Sequence, residues 1–279
     1  MKNLTFRMMA IAMILGMSFA NAQTRYLDEI FNDVTVTSNI IYGSNIGIIT
    51  QAPALEDLIM DIYEPTGDTQ TDRPVVIMLH TGSFLPAIVN GQATGSKTDN
   101  SIVEMCMRFA KKGYVAVAID YRLGWNPISP SEDVRRSTLI QAAYRGLQDT
   151  KTAVRFLRKS AAEDGNPYGV GDQFVVGGHG TGGYLSLSMA TLNDYESELL
   201  MPKFIDTSDE TIAIYGQPVP YIMQSMWGNF EATNYCWHPA YDLNGDGIFE
   251  DVPLCVPNHV GYSSEVDMVF NAGCVISMK

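Results

Sequence analysis

The stretch Phe174-Val175-Val176-Gly177-Gly178-His179-Gly180-Thr181-Gly182-Gly183 decides the fold of this chain. An apolar run this short, bounded by turn residues, is typical of a buried strand in a parallel sheet. The glycines behind it allow a sharp turn with positive φ and a close approach of strand and helix backbones. A helical pattern follows. The sequence therefore predicts a strand, a tight turn and a helix.

The same alternation extends on both sides of this stretch. Compact apolar runs at 74–79 and 114–119 predict two more buried strands, with a helix capped by Asn100 or Ser101 between them. Strands separated by helices in this way predict an α/β fold with a mostly parallel sheet and helices on both faces. The other predicted elements are strands at 34–48, 58–63 and 266–271, a helix at 137–161, and a short strand or loop at 212–215.

Composition and charge narrow the possible functions. The chain has 279 residues, and its 46% hydrophobic and 18% charged content is typical of a globular protein. The net charge of −13 argues against nucleic acid and anionic membrane surfaces as partners. None of these values identifies a substrate or an oligomeric state.

The N-terminus has the layout of a secretory signal peptide. Lys2 and Arg7 precede an apolar run at 8–19, and Ala20-Asn21-Ala22 has the small residues of a cleavage box. We therefore expect a signal peptide at 1–22, a domain at 23–279, and a secreted, periplasmic or cell-surface location. A retained N-terminal anchor is the alternative. We expect no transmembrane segment in the rest of the chain.

The four cysteines are too few for a disulfide-stapled scaffold. Cys106 lies in a helical pattern and is predicted to be a buried thiol, and Cys274 lies in the last apolar run. Cys236 and Cys255 flank a loop region and could form a disulfide in an oxidising compartment. The sequence alone does not fix this connectivity.

Four stretches follow one another along the chain. They are His80-Thr81-Gly82-Ser83 after a strand, Asp120-Tyr121-Arg122 after the next strand, the helical segment 146–158, and Gly178-His179-Gly180-Thr181-Gly182. In this order they resemble the esterase/lipase α/β-hydrolases, the carboxylesterase-like enzymes of the hormone-sensitive-lipase and feruloyl-esterase type. The resemblance implies the α/β-hydrolase fold, a small-molecule ester or glycan-type ligand, and no required cofactor.

The resemblance places Gly180 at the nucleophile position of the elbow G-x-S-x-G. A glycine has no side chain with which to attack an ester. Thr181 is adjacent and carries a hydroxyl, so it is the candidate substitute nucleophile. The residue after the nucleophile, however, normally gives its backbone N–H to the oxyanion hole and turns its side chain away. A glycine-rich turn that only joins a strand to a helix is the alternative for the whole stretch.

The resemblance also implies an oxyanion hole formed by the backbone N–H groups of Gly82, Ser83 and Thr181. The family usually has two or three glycines where this chain has Thr81-Gly82-Ser83. His80 is expected to be a structural histidine bonded to backbone, with a catalytic role as the alternative.

The other two members of a hydrolase triad are expected after the elbow, in the order acid and then histidine. His238 and His259 are the only later histidines, and both precede the strand at 266–271, which looks like the sixth strand of the family. We expect both to be loop histidines, and the fold to be incomplete at its C-terminal edge. The protein is then inactive or nearly so. A non-enzymatic extracellular or cell-surface binding protein is the alternative.

Residues 217–262 are predicted to form an irregular excursion or cap that contains a candidate calcium loop. Alternating oxygen ligands and a glycine at the turn are what Ca²⁺ requires. Pro253 stands where an EF-hand has its bidentate glutamate, so the motif is not a complete EF-hand. An acidic surface turn is the alternative. The candidate ligands are Asp242, Asn244, Asp246, Ile248, Glu250 and Asp251.

Overall fold

The computed structural model describes residues 24–49, 53–91, 94–241 and 250–273. Its elements in chain order begin with β1 (Val34–Gly47), β2 (Ala54–Pro65), β3 (Arg73–Leu79), α1 (Ala87–Asn90), α2 (Asn100–Lys111), β4 (Val115–Ile119), α3 (Glu132–Glu163) and β5 (Val170–His179). They continue with α4 (Thr181–Thr191), α5 (Tyr195–Glu198), a 3₁₀ turn (Pro202–Phe204), β6 (Ile205–Asp206), α6 (Asp209–Tyr215), β7 (Val219–Pro220), α7 (Gln224–Trp227), β8 (Cys236–Tyr241), β9 (Glu250–Cys255) and β10 (Met268–Ala272).

A six-stranded sheet in the order β1-β2-β4-β3-β5-β10 forms the centre of the molecule. The pairs β4–β3, β3–β5 and β5–β10 are parallel, whereas β2 runs antiparallel to both β1 and β4. The predicted α/β fold with a mostly parallel sheet is confirmed, and the β1–β2 pair makes the sheet mixed. The parallel strands all end at one edge, where α/β proteins bind their ligands.

Helices cover both faces of the sheet because the central strands are apolar on both faces. On β3, Val75, Ile77 and Leu79 pack into the core that includes residues of α3 and α4. The alternate residues of β3, Val76 and Met78, pack against α2. This two-sided burial explains why the strand is an unbroken apolar run rather than an alternating one.

The structure corrects two of the predicted elements, and helix capping explains both corrections. Ser131 accepts a hydrogen bond from the backbone N–H of Val134, and this cap starts α3 at Glu132, five residues before the predicted start. Residues 212–215 do not form a strand or a loop. They belong to α6, because Ser208 caps that helix through the N–H of Thr211 and Gly216 ends it in a left-handed conformation.

The segment at 217–262 was predicted from the sequence to be an irregular excursion or cap. Its described part contains the antiparallel hairpin β8–β9. It packs beside α3: the Tyr144 hydroxyl donates to the carbonyl of Gly228, and the Gln148 side chain donates to the carbonyl of Trp227. Partly exposed Met226 packs with buried residues of the hairpin. The described part of the segment therefore flanks the helix layer.

The predicted signal peptide at 1–22 lies outside the described residues. Within the ranges that are described, no helix combines the length and the apolar character needed to cross a bilayer.

The turn between β5 and α4 depends on close backbone contact. A methyl group on Gly182 would lie 2.3 Å from the carbonyl oxygen of Leu79, and one on Gly178 would lie 2.0 Å from the carbonyl carbon of Gly182. Side chains at these positions would force β3, β5 and α4 apart. The glycines thus let three elements meet at the edge of the sheet where parallel strands end.

We predict that Gly182→Ala destabilises the protein by at least about 2 kcal/mol, because overpacking against rigid backbone has no cheap relief. The sign of the change in unfolding free energy is informative, since a glycine-to-alanine substitution within a helix normally stabilises a protein by about 1 kcal/mol. Urea unfolding gives the free energies. The control is Gly67→Ala, where φ is +80° and no atom lies within 4 Å. That variant is expected to lose only about 1 kcal/mol, and an equal loss in both variants would contradict the close-contact explanation.

Candidate active site

Gly180 forms the corner of the turn between β5 and α4. Its backbone has φ 56° and ψ −118°, and it stands at the N-cap of α4 without a side-chain cap. L side chains rarely adopt this conformation, so the position holds strain for any residue except glycine. The backbone therefore has the sharp strand-to-helix turn that presents a nucleophile in hydrolases, with no nucleophile on it.

Thr81 occupies the space that a side chain at position 180 would need. A Cβ atom built on Gly180 would lie 2.0 Å from Thr81 Oγ1 and 2.7 Å from Thr81 Cβ. Rotation of the threonine side chain moves Oγ1 but leaves Cβ in place, so it does not relieve the second contact. Sequence reasoning missed this contact. The available signal was the threonine that interrupts the glycines of the His80-Thr81-Gly82-Ser83 segment.

The loop at 80–85, which contains the predicted oxyanion residues Gly82 and Ser83 and is called the oxyanion-side loop below, turns sharply after Thr81. Gly82, Ser83 and Phe84 have φ of +118°, +57° and +55°, and a run of left-handed residues that includes two non-glycines is uncommon. The indole N–H of Trp125 donates to the carbonyl of Ser83 at 2.7 Å. A methyl group on Gly82 would lie 2.7 Å from the Cα of Gly95. Through Thr81, the structure thus brings the predicted oxyanion residues Gly82 and Ser83 beside the elbow.

His80 is buried beneath this loop. Its Nδ1 lies 2.6 Å from the carbonyl of Thr81 and is therefore the protonated nitrogen. Its Nε2 lies 3.8 Å from Asp120 Oδ1 and has no hydrogen-bond partner among the described residues. The ring stacks on Tyr121 with centroids 4.2 Å apart. Burial lowers the pKa of His80, so the imidazole is neutral and supports the loop.

A buried charge cluster that sequence reasoning did not single out lies next to His80. Asp120 Oδ1 accepts the backbone N–H of Lys97 at 2.6 Å, and the Lys97 ammonium binds Asp61 at 2.8 Å. Burial raises the pKa of the Asp120 carboxyl. Each charge in the cluster has a partner, as buried charges require. The cluster links β2 to the end of β4 under the site.

Thr181, the candidate substitute nucleophile, turns its hydroxyl into the protein. Its Oγ1 is buried and faces the Tyr121 hydroxyl without completing a hydrogen bond in the described part of the chain. The Tyr121 hydroxyl itself donates to the carbonyl of His80 at 2.8 Å. Among the described residues, no base is hydrogen-bonded to the hydroxyl of Thr181, and its burial keeps it from direct contact with an ester.

Two of the other three histidines, His259 and His179, have partners of their own. His259 Nε2 lies 2.7 Å from the carbonyl of Tyr42, and His179 Nδ1 lies 3.4 Å from Ser101 Oγ, at the long limit of a hydrogen bond. His238 lies on β8, and its side chain is outside the description. None of the described rings is hydrogen-bonded to the hydroxyl of Thr81 or Thr181.

A largely apolar cavity of about 570 Å³ opens beside the oxyanion-side loop. Trp125, whose indole holds the carbonyl of Ser83, forms part of its wall. Its size is within the range of small-molecule sites, which are mostly apolar with a few polar groups. The lining residues are Ile48, Ile49, Leu85, Pro86, Val89, Gly124, Trp125, Asn126, Pro127, Ile128 and Thr138.

The candidate calcium loop lies at residues 242–249, outside the described residues, as do the side chains at 250 and 251. The flanking strands pair Tyr241 with Glu250, so this loop joins the two strands of the hairpin. In the described ranges, no group of three or more acidic, histidine or cysteine side chains could hold a metal ion. Calcium binding stays a prediction from the sequence.

Comparison with known proteins agrees with this architecture. The family model described as BD-FAE matches residues 60–216, more than half of the chain. Gut esterase 1 from Caenorhabditis briggsae is 24% identical over 260 residues, covering 79% of this chain. The chain spans only 43% of the length of that protein.

Solved structures of esterases are also similar to the chain. Butyrate-bound esterase 2 from the Planctomycetes species Thermogutta terrifontis is 26% identical, with a TM-score of 0.35 and coverage of 48% of this chain and 40% of that one. The paraoxon-phosphorylated form of the same esterase is 23% identical, with a TM-score of 0.39 and coverage of 65% and 54%.

We predict that Gly180→Ala and Thr81→Gly are energetically coupled. Gly180→Ala alone introduces both backbone strain and a collision with Thr81, whereas in a Thr81→Gly background only the strain remains. A double-mutant cycle by urea unfolding is therefore expected to show a favourable coupling of at least about 1 kcal/mol. Additive effects would mean that Thr81 does not occupy the space of a side chain at position 180.

Proposed function

This chain belongs to the BD-FAE family and is an esterase/lipase-type α/β-hydrolase in fold, and from that we propose that its site binds an ester-like ligand but hydrolyses it slowly or not at all. The observation that carries the proposal is the contact between Thr81 and the space above Gly180. The position from which a hydrolase of this type attacks its substrate has lost its side chain, and the neighbouring loop fills the space.

The remaining hydroxyl groups do not replace the missing nucleophile. Ester hydrolysis through an acyl-enzyme needs a hydroxyl whose proton a base removes. The hydroxyl of Thr181 is buried against Tyr121. Thr81 lies at the correct place, but no described imidazole is hydrogen-bonded to it. Backbone donors alone give a far smaller rate than a complete triad.

Binding without hydrolysis is supported by what the site retains. Gly82 and Ser83 lie on a tightly turned loop beside the elbow, where backbone N–H groups can meet a carbonyl oxygen. The apolar cavity adjoins the same loop and is bounded by Trp125. A small ester with an apolar or aromatic group matches this combination of a polar anchor and an apolar pocket. With the predicted signal peptide, we propose that this binding occurs outside the cytoplasm.

We predict that the mature protein does not hydrolyse 4-nitrophenyl butyrate above the buffer rate. Gly180→Ser is expected to remain inactive, because the serine Cβ needs the space that Thr81 fills. The double variant Thr81→Gly, Gly180→Ser has room for the serine and tests whether space alone is limiting. We expect it to stay inactive, since no described histidine is bonded at this place. Release of nitrophenolate, followed by absorbance, gives the rates.

Two further variants test the substitute nucleophiles. Turnover by the wild type that disappears in Thr181→Val or Thr81→Val, both close in shape to threonine, would sink the proposal of an inactive site. Turnover that survives in both variants would come from a site other than the elbow. The free energy of unfolding of each variant is measured as well, so that a loss of turnover can be distinguished from a loss of folding.

We predict that the same ester binds in the apolar cavity. Isothermal titration with 4-nitrophenyl butyrate is expected to give binding that Trp125→Ala weakens about tenfold, or about 1.4 kcal/mol. Trp125→Phe keeps the ring and should keep most of the affinity. The matched control is Trp237→Ala, since Trp237 is exposed on β8 and does not line the cavity. Equal losses in Trp125→Ala and Trp237→Ala would contradict binding in this cavity.

A further inference from the structure

Two buried cysteines face each other across the hairpin that flanks α3. Cys236 begins β8, Cys255 ends β9, and the two are direct partners in the antiparallel register. Cys236 is 3% exposed and Cys255 is fully buried, and both are free thiols. They belong to a small apolar cluster with Ile46, which lies near the end of β1.

The register gives these residues the spacing that a disulfide needs. Directly opposite residues of antiparallel strands have Cα atoms about 4.5 or 5.5 Å apart, depending on the type of pair. Both values lie within the range of about 4.4–6.8 Å seen for half-cystines. The register therefore places the two cysteines within reach of a disulfide. A register irregularity follows Cys236, so the strand can adjust at this point.

The surroundings leave room for the two sulfur atoms. The thiol of Cys236 lies 2.8 Å from the carbonyl of Met226 and is also in hydrogen-bond contact with the sulfur of Cys255. A methyl group on Gly228 would lie 2.6 Å from Cys255 Sγ, so the absence of a side chain at Gly228 gives this sulfur its space.

We propose that Cys236 and Cys255 form a disulfide in the mature protein, and that this bond fixes the β8–β9 hairpin beside α3. It is independent of whether the site hydrolyses an ester. The secretory signal peptide that the sequence predicts supports the proposal, because exported proteins fold in oxidising compartments, where disulfides persist.

The reaction is a thiol–disulfide exchange with a small disulfide such as oxidised glutathione. The Cys255 thiolate attacks one sulfur of that oxidant, forms a mixed disulfide and releases one glutathione thiolate. Cys236 then loses its proton and attacks the sulfur of Cys255, which releases the second glutathione. Two protein thiols are oxidised and one glutathione disulfide is reduced to two glutathione thiols.

The bond would link the two strands of the hairpin at the point where the hairpin contacts the rest of the molecule. The Tyr144 hydroxyl of α3 donates to the carbonyl of Gly228, the residue that packs against Cys255 Sγ. Asn45 Nδ2 donates to the carbonyl of Val256, next to Cys255. Because both sulfurs are buried, the exchange takes place before the hairpin packs, during folding.

The test uses the mature full-length chain refolded in a glutathione redox buffer and then denatured and alkylated with iodoacetamide. We expect the intact mass to show two unmodified cysteines, and peptide mapping to recover one cross-linked peptide that contains Cys236 and Cys255. Reduction should lower the melting temperature by roughly 4–8 °C, as expected for a bond that restricts the unfolded chain.

Cysteine variants identify which two residues form the disulfide. Cys106→Ser should leave the cross-linked peptide unchanged, because Cys106 is buried in the helix layer far along the chain. Cys236→Ser should free Cys255 for alkylation and abolish the effect of reduction on the melting temperature. Full alkylation of both cysteines in the refolded wild type would overturn the proposal, and so would a bond from either of them to Cys274. If a variant does not fold, the wild-type peptide map alone decides.

Discussion

The structure depends on the close backbone approach at the turn between β5 and α4. Gly178 and Gly182 bring the end of β5 and the first turn of α4 within contact of the carbonyl of Leu79 on β3. With β5 placed between β3 and β10, that contact fixes the centre of the sheet and the helix that covers it. The orientation of Gly180, of the oxyanion-side loop and of the apolar cavity beside it follows from this one constraint.

A buried ion pair links the segment that follows β4 to helix α3. Arg122 follows β4, and its guanidinium binds the Asp149 carboxylate of α3 at 2.8 Å with both side chains fully buried. The same guanidinium donates to the carbonyl of Ile46 and to the side chain of Gln148. Loss of one partner of such a pair typically costs about 3–5 kcal/mol, because the other charge stays buried. The pair therefore specifies how β4, β1 and α3 meet rather than adding a large net stability.

The sequence predicted the elements whose pattern is local and missed the features that depend on distant contacts. The buried strand at 174–176 and the elbow are encoded by adjacent residues, and the structure has both. The β8–β9 hairpin was missed because Pro239 and Pro253 interrupt the strand pattern, and proline cannot donate to a ladder. The contact of Thr81 with the space above Gly180 joins two loops about a hundred residues apart, and no local rule encodes it.

Gly180 and Thr81 at the elbow also fit each other. Removal of the side chain at position 180 would leave a void at the edge of the sheet, and a void costs dispersion contacts on its walls. The side chain of Thr81 fills that void and gives Gly180 a neighbour at van der Waals range. The same packing excludes a serine at position 180, because the threonine Cβ cannot move without its backbone. Each residue thus makes the other favourable, and a serine at position 180 would need a change on two separate loops at once.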